Sequence, residues 1–167
     1  MPTLAVPEEI LKLLRVRAEE RGMTVDELVV EVATEGLDPE SRARECARAA
    51  RWLLAQARGE LERGDLRQAS EKIWGAAALA VKAHAYAAEG RRLASHGELW
   101  EYKSKLAGRL GAWVHDSWSA AVSMHVNFYE GWADAASVRA ALSRVERLVE
   151  SVARELAGAE QPGATSR

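Results

Sequence analysis

Between residues 39 and 63 the apolar side chains Ala43, Cys46, Ala47, Ala50, Leu53, Leu54, Ala57 and Leu61 recur three and four positions apart. That spacing lines one face of an α-helix. The same period returns in Leu66, Ala69, Ile73, Ala77, Ala80 and His84, and again in Val138, Leu142, Val145, Leu148, Val149, Val152 and Leu156. No strand-like alternation follows residue 6, so the pattern predicts helices nearly throughout.

Capping chemistry places the boundaries. Pro7-Glu8-Glu9 puts a proline and two acids at a helix start, predicting a helix over about residues 8–21 that Gly22 stops. Thr24-Val25-Asp26-Glu27 is a capping box for a second helix ending at Gly36, and Asp38-Pro39 opens the third, which Gly64 ends. Asp65, with Gln68 three positions on, caps a helix running to Glu89. Ser95-His96-Gly97-Glu98 then opens a stretch bent near Gly108 and Gly111 that reaches Glu130. The last helix starts near Asp134 and closes at Gly158, and residues 159–167 read as a disordered tail. Residues 3–6 could form one short strand. The expected fold is all-α: an antiparallel up-and-down bundle of four to five long helices over residues 38–158, preceded over residues 1–37 by a short strand and two short helices. Alanine dominates the third and fourth helices, so these two should approach closely while the six Trp residues fill wider gaps elsewhere.

Composition removes several functions. The longest apolar run, Ile73 to Val81, is nine residues, far short of the roughly 20 that span a bilayer. The N-terminus lacks the basic and apolar regions of a signal peptide, so the expected location is the cytoplasm. Cys46 is the lone cysteine, which rules out an intramolecular disulfide and reads as a small buried helix residue. A net charge of −2 gives no overall pull toward polyanions, so any nucleic-acid contact must be local. Asn127 is the one asparagine; scarce thermolabile amides fit a thermophile, although a GC-rich genome explains the abundant Arg and Ala equally well.

No His-x-x-His, Glu-x-x-His or His-Glu-x-x-His spacing occurs, so neither a metal nor a cofactor is expected. There is no Gly-x-Ser-x-Gly elbow and no Walker loop. The most concentrated polar group is His125, Asn127, Tyr129 and Glu130 at a helix end. His125 and Tyr129 are four apart on one face, which Trp118 and Trp132 extend. Two accounts compete: a pocket for a base or nucleotide, with Trp stacking and His or Asn hydrogen bonding, or a satisfied polar network closing the bundle end, which the residue types favour. His96, in the third capping box, joins the candidates. His84 reads as a core histidine, and Glu71 and Lys82, which share a face, as part of a solvated polar surface.

Two resemblances add to this. Leu4-Ala5-Val6-Pro7-Glu8-Glu9-Ile10 and Arg21-Gly22-Met23-Thr24-Val25-Asp26-Glu27-Leu28 resemble the ribbon-helix-helix module of small regulators, in which two chains pair their strands. The module's chemistry here disfavours DNA. Thr3 is the one polar side chain in the would-be strand, and residues 1–37 carry four basic against eight acidic groups. Dimerisation without DNA binding is the expectation, with a plain helical hairpin docked on the bundle as the other structural option.

Arg63-Gly64-Asp65-Leu66-Arg67-Gln68-Ala69-Ser70-Glu71-Lys72-Ile73-Trp74-Gly75-Ala76-Ala77, Leu93-Ala94-Ser95-His96-Gly97-Glu98-Leu99 and Met124-His125-Val126-Asn127-Phe128-Tyr129-Glu130-Gly131 resemble the archaeal PaREP proteins, grouped with the HEPN nucleotide-binding bundles. The resemblance spans residues 45–155. It implies a homo-oligomeric accessory or binding protein able to contact RNA or a nucleotide. HEPN relatives that cut RNA use a neighbouring Arg and His without metal. If His125 held that position an Arg would be needed at 118 to 120, where Trp118, Ser119 and Ala120 stand. Arg91 with His96 and Arg109 with His115 meet that family's separation of four to six residues, but neither pair falls in the segment where the resemblance places the motif. A metal-independent endoribonuclease is therefore the enzyme alternative, and a ribbon-helix-helix DNA-binding regulator the third.

Overall fold

The computed structural model describes residues 3–160 as seven α-helices: α1 Glu8–Glu20, α2 Val25–Ala33, α3 Pro39–Glu62, α4 Leu66–Glu89, α5 His96–Leu110, α6 Trp113–Glu130 and α7 Ala135–Ala159. The expected tail at 161–167 lies outside the described residues. Side-chain oxygens of Thr24, Asp38, Asp65, Ser95 and Asp134 accept from the backbone N–H three positions on, as the capping motifs predict. Two boundaries differ from the sequence reading. Gly108 lies inside α5 without interrupting it, and the break falls at Gly111, whose φ of 121° suits glycine and whose added Cβ would meet Trp113 at 3.0 Å. Gly158 lies inside α7, which continues to Ala159.

The short strand expected at residues 3–6 is not formed: residues 3–7 have no regular structure and are exposed. A strand exists only through ladder bonds to a neighbour, and no other strand is present among the described residues.

Helix α4 is the axis of the fold. Apart from Glu71 and Lys72, every residue from Ala69 to Tyr86 is buried, the condition of a helix enclosed on all sides. Its most extensive partner is α3, and α6, α7 and α5 complete the enclosure. Gly75 lets α4 approach both α3 and the start of α2: a Cβ there would meet Leu53 at 3.2 Å and Thr24 at 3.3 Å. Arg44, Arg51 and Arg58 of α3 meet Glu160, Glu150 and Glu146 respectively, so α3 and α7 run in opposite directions. The tryptophans divide. Trp74 and Trp118 are core residues, whereas Trp52, Trp100 and Trp132 are exposed, contrary to their expected role as filling. Cys46 is buried and its thiol is pushed up to about 11 by burial, so it packs as an inert small side chain.

The N-terminal hairpin sits on this bundle through α2, and the seat is ionic. Glu27 Oε2 accepts from the Thr24 backbone N–H at 2.8 Å, while Oε1 accepts from Lys82 Nζ at 3.1 Å. The two side chains are 1% and 7% exposed. Lys82 therefore does not lie on a solvated face with Glu71; α2 covers it and supplies its counter-ion. Lys72 reaches Asp26 at 2.6 Å and Arg92 pairs with Glu31. Helix α1 packs chiefly on α2, through a small separate cluster of Ala18, Met23 and Leu28 flanked by Leu14 and Val25. Its outer stripe of Ile10, Leu13 and Val16 is 45%, 48% and 50% exposed.

Candidate functional site

The α4–α6 contact brings four aromatic side chains into one chain of rings, and His96 of α5 joins them. His125 lies 4.9 Å from Trp74 and 5.4 Å from His96 between centroids, and its edge-on neighbour Tyr129 is at 5.6 Å. Trp118 packs against Trp74 at 5.2 Å from the core side, the two rings tilted by 59°. Of the candidates His125, Asn127, Tyr129, Glu130, Trp118 and His96, the rings of His125, Tyr129, His96 and Trp118 are thus contiguous, with Trp74 as their unanticipated centre. That role was readable only from tertiary contact, because Trp74 belongs to α4.

Each member has a distinct state. His96 Nε2–H donates to the Gly22 carbonyl, fixing the bundle to the turn after α1. His125 is half-buried; burial first, and the neighbouring His96 second, push its pKa below the ordinary imidazole value, leaving it neutral near pH 7. Trp118 is 1% exposed and reaches no ligand surface. Asn127 is fully buried: Nδ2 donates to Ser70 Oγ at 2.8 Å and Oδ1 accepts from the Ala133 N–H at 2.7 Å. It staples α6 to α4 and closes the turn into α7, the polar-network account of this residue. Glu130 and Tyr129 are exposed, and Trp132 lies beyond the helix end, away from the buried Trp118.

The cleft beside these rings opens between the hairpin and the bundle and measures about 320 Å³, at the lower end of the range for ligand pockets, about 300–1,000 Å³. Phe128 and Tyr129 of α6 form one wall, Gln68 and Glu71 of α4 the floor, and Arg15 and Glu19 of α1 the opposite wall. The Asp26–Lys72 pair closes one side. Glu71 is half-buried and its carboxyl lies above the usual carboxylate range, chiefly from burial; Lys72 pulls the other way. The sequence carried part of this signal: Gln68, Glu71 and Lys72 at i, i+3 and i+4 share a face of α4.

The two Arg–His pairs that met a ribonuclease spacing are not brought together. Arg91 is engaged by Glu98 and Glu101, and Arg109 by Glu155. Instead His115 meets Lys103, whose Nζ lies 3.2 Å from His115 Nδ1 and 4.2 Å from the Trp100 ring centre. Burial lowers the Lys103 pKa. The buried His84 takes Tyr102 Oη at 2.8 Å on Nδ1, its own pKa lowered by burial and the phenol pushed up to about 12. No cluster of three His, Cys, Asp or Glu able to hold a metal ion occurs among the described residues, and no helix there is long and apolar enough to cross a membrane.

No curated protein and no solved structure matches the chain. A family model does, over residues 45–149, from the first third of α3 to within α7 and including every ring of the cluster described above. That match covers more than half of the sequence, and the chain belongs to the archaeal PaREP1/PaREP8 family.

Proposed function

We propose that this PaREP chain is a dimeric, HEPN-like binding protein of the cytoplasm that holds a nucleoside, or an unpaired base of RNA, without cutting it. The observation that carries this reading is the cleft of about 320 Å³ between the hairpin and α4–α6, walled by Phe128 and Tyr129 and floored by unpaired polar side chains. Aromatic walls hold bases by stacking, and polar groups on the floor read their edges. Its lining carries Arg15 and Lys72 against Glu19, Asp26 and Glu71, so a base is a better occupant than a polyphosphate. Dimerisation is the role of the N-terminal module: Leu4, Val6, Ile10, Leu13, Val29 and Val32 are all exposed, and the ribbon-helix-helix resemblance implies that a second copy covers them. The module's acidic balance argues against DNA.

The test is titration of the purified protein with nucleosides and with a cellular RNA pool in EDTA, beside Tyr129→Ala and His125→Ala. Binding without cleavage, weakened by Tyr129→Ala, is the expected result. Loss of neither binding nor retention in Tyr129→Ala removes the cleft from the account. The endoribonuclease reading has one observation in its favour, the Lys103–His115 contact beside the exposed Trp100: a cation beside an imidazole is what a metal-free phosphoryl transfer needs. Cleavage in EDTA that vanishes in His115→Ala or His125→Ala would establish it.

A further inference from the structure

The polar groups on the cleft floor differ from those of a solvated helix face. Glu71 makes no hydrogen bond or ion pair to any described residue although it is half-buried, and its neighbour Lys72 is already held by Asp26 at 2.6 Å. One turn earlier, the Gln68 side chain is likewise unbonded; only its backbone N–H is used, by the Asp65 cap. A carboxylate kept partly out of water without a donor is unfavourable, so a ligand supplying donors gains more there than at an exposed acid. Two oxygens of one carboxylate accept a matched pair of adjacent N–H groups. Beside it, an amide NH₂ can donate to a neighbouring carbonyl.

Resting on the base-binding reading, we infer that the cleft is specific for guanine, with Glu71 accepting from N1–H and the exocyclic N2–H, Gln68 donating to O6, and Phe128 and Tyr129 walling the ring. Guanine alone among the common bases presents two adjacent donors with an acceptor next to them. Adenine and cytosine each place a lone pair beside their amino group, which meets the carboxylate repulsively. Uracil offers one N–H flanked by two carbonyls. Inosine keeps N1–H and O6 but lacks the amino group. The same base could arrive as a free nucleoside or as an unpaired G in RNA, and the cleft's acidic balance favours either over a free triphosphate.

The experiment is calorimetric titration of the full chain with guanosine, inosine, adenosine and uridine, and with two short single-stranded RNAs differing in one unpaired G or A. The expected order is guanosine above inosine above adenosine, with about 10- to 100-fold between guanosine and adenosine from one matched bidentate contact. The G-containing RNA binding tighter than free guanosine would identify RNA as the source, and the reverse the nucleoside. Glu71→Gln, which removes a partly buried charge and keeps the shape, is expected to fold and to bring guanosine down to the adenosine level while leaving adenosine binding in place. Equal affinity for guanosine and adenosine, or an unaffected Glu71→Gln, would overturn the guanine assignment and leave base binding standing. Absence of binding to any nucleoside and either RNA would sink both.

Discussion

Helices α4 and α1 sit at opposite extremes of this molecule. Every face of α4 between Ala69 and Tyr86, outside Glu71 and Lys72, is covered by another helix of the same chain. Helix α1 buries one residue, Ala18, and leaves Ile10, Leu13 and Val16 about half exposed. The contrast separates what the chain supplies to itself from what it leaves for others. A helix apolar all round is complete inside a bundle, whereas a helix with an apolar stripe on its outer face still has a face to cover. Between the two lies α2, seated on the bundle by ion pairs, and the cleft is formed where α1 overhangs α4 and α6.

Changes at the seat and in the core should have the largest effects. Lys82→Ala leaves the Glu27 carboxylate buried without its partner and should cost about 3–5 kcal/mol in urea unfolding. Combining Lys82→Met with Glu27→Met should recover much of that, less the roughly 1 kcal/mol of the lost bond from the Thr24 backbone N–H to the Glu27 carboxylate. Equal loss in the single and double variants would mean that the pair itself holds the seat. Trp118→Ala, in the enclosed ring stack, should also cost about 3–5 kcal/mol, whereas Tyr129→Ala, half exposed, should stay within about 0.5 kcal/mol and affect binding only.

At the open stripe, Leu13→Glu should leave the melting of the bundle in place while shifting sedimentation toward monomer. Loss of a central apolar anchor worth about 2 kcal/mol weakens association more than tenfold. An unchanged mass for both proteins would show that α1 has some other cover. Asn127→Ala should cost about 1–3 kcal/mol by stranding the Ala133 N–H, and a smaller cost would place that group within reach of water.

The smallest effect is in pH. His84 and His125 both have pKa values lowered by burial, so the folded chain binds fewer protons at these sites than the unfolded chain does. Their contribution to stability is present above the unfolded imidazole value of about 6.5 and is lost as pH falls through the folded values. His125→Phe should flatten this acid-side slope in unfolding experiments. A slope unaltered in that variant would assign the titration to His84 and the carboxylates.

Much of the site lay outside the reach of sequence reading for a definite reason. His125 and Tyr129 were visible because they are four apart on one helix, but Trp74, the ring they gather around, is on another. Glu27 read as the far half of a capping box, which it is; that its second oxygen also neutralises a lysine 55 positions away has no local signature. Lys82, between Val81 and Ala83, looked like the polar edge of α4 until α2 was placed over it.

What the sequence by itself determined is the set of helices, because apolar period and capping residues act within a few positions of one another. Asp38, Asp65, Ser95 and Asp134 each start a helix whatever surrounds it. Only the tertiary structure decided which polar groups lost water and which found partners: Asn127 and Lys82 are bonded to buried partners inside the protein, while Gln68 and Glu71 were left facing a cleft. Burial and pairing depend on where helices far apart in the chain come to lie, and the residue pattern of any single helix does not encode that.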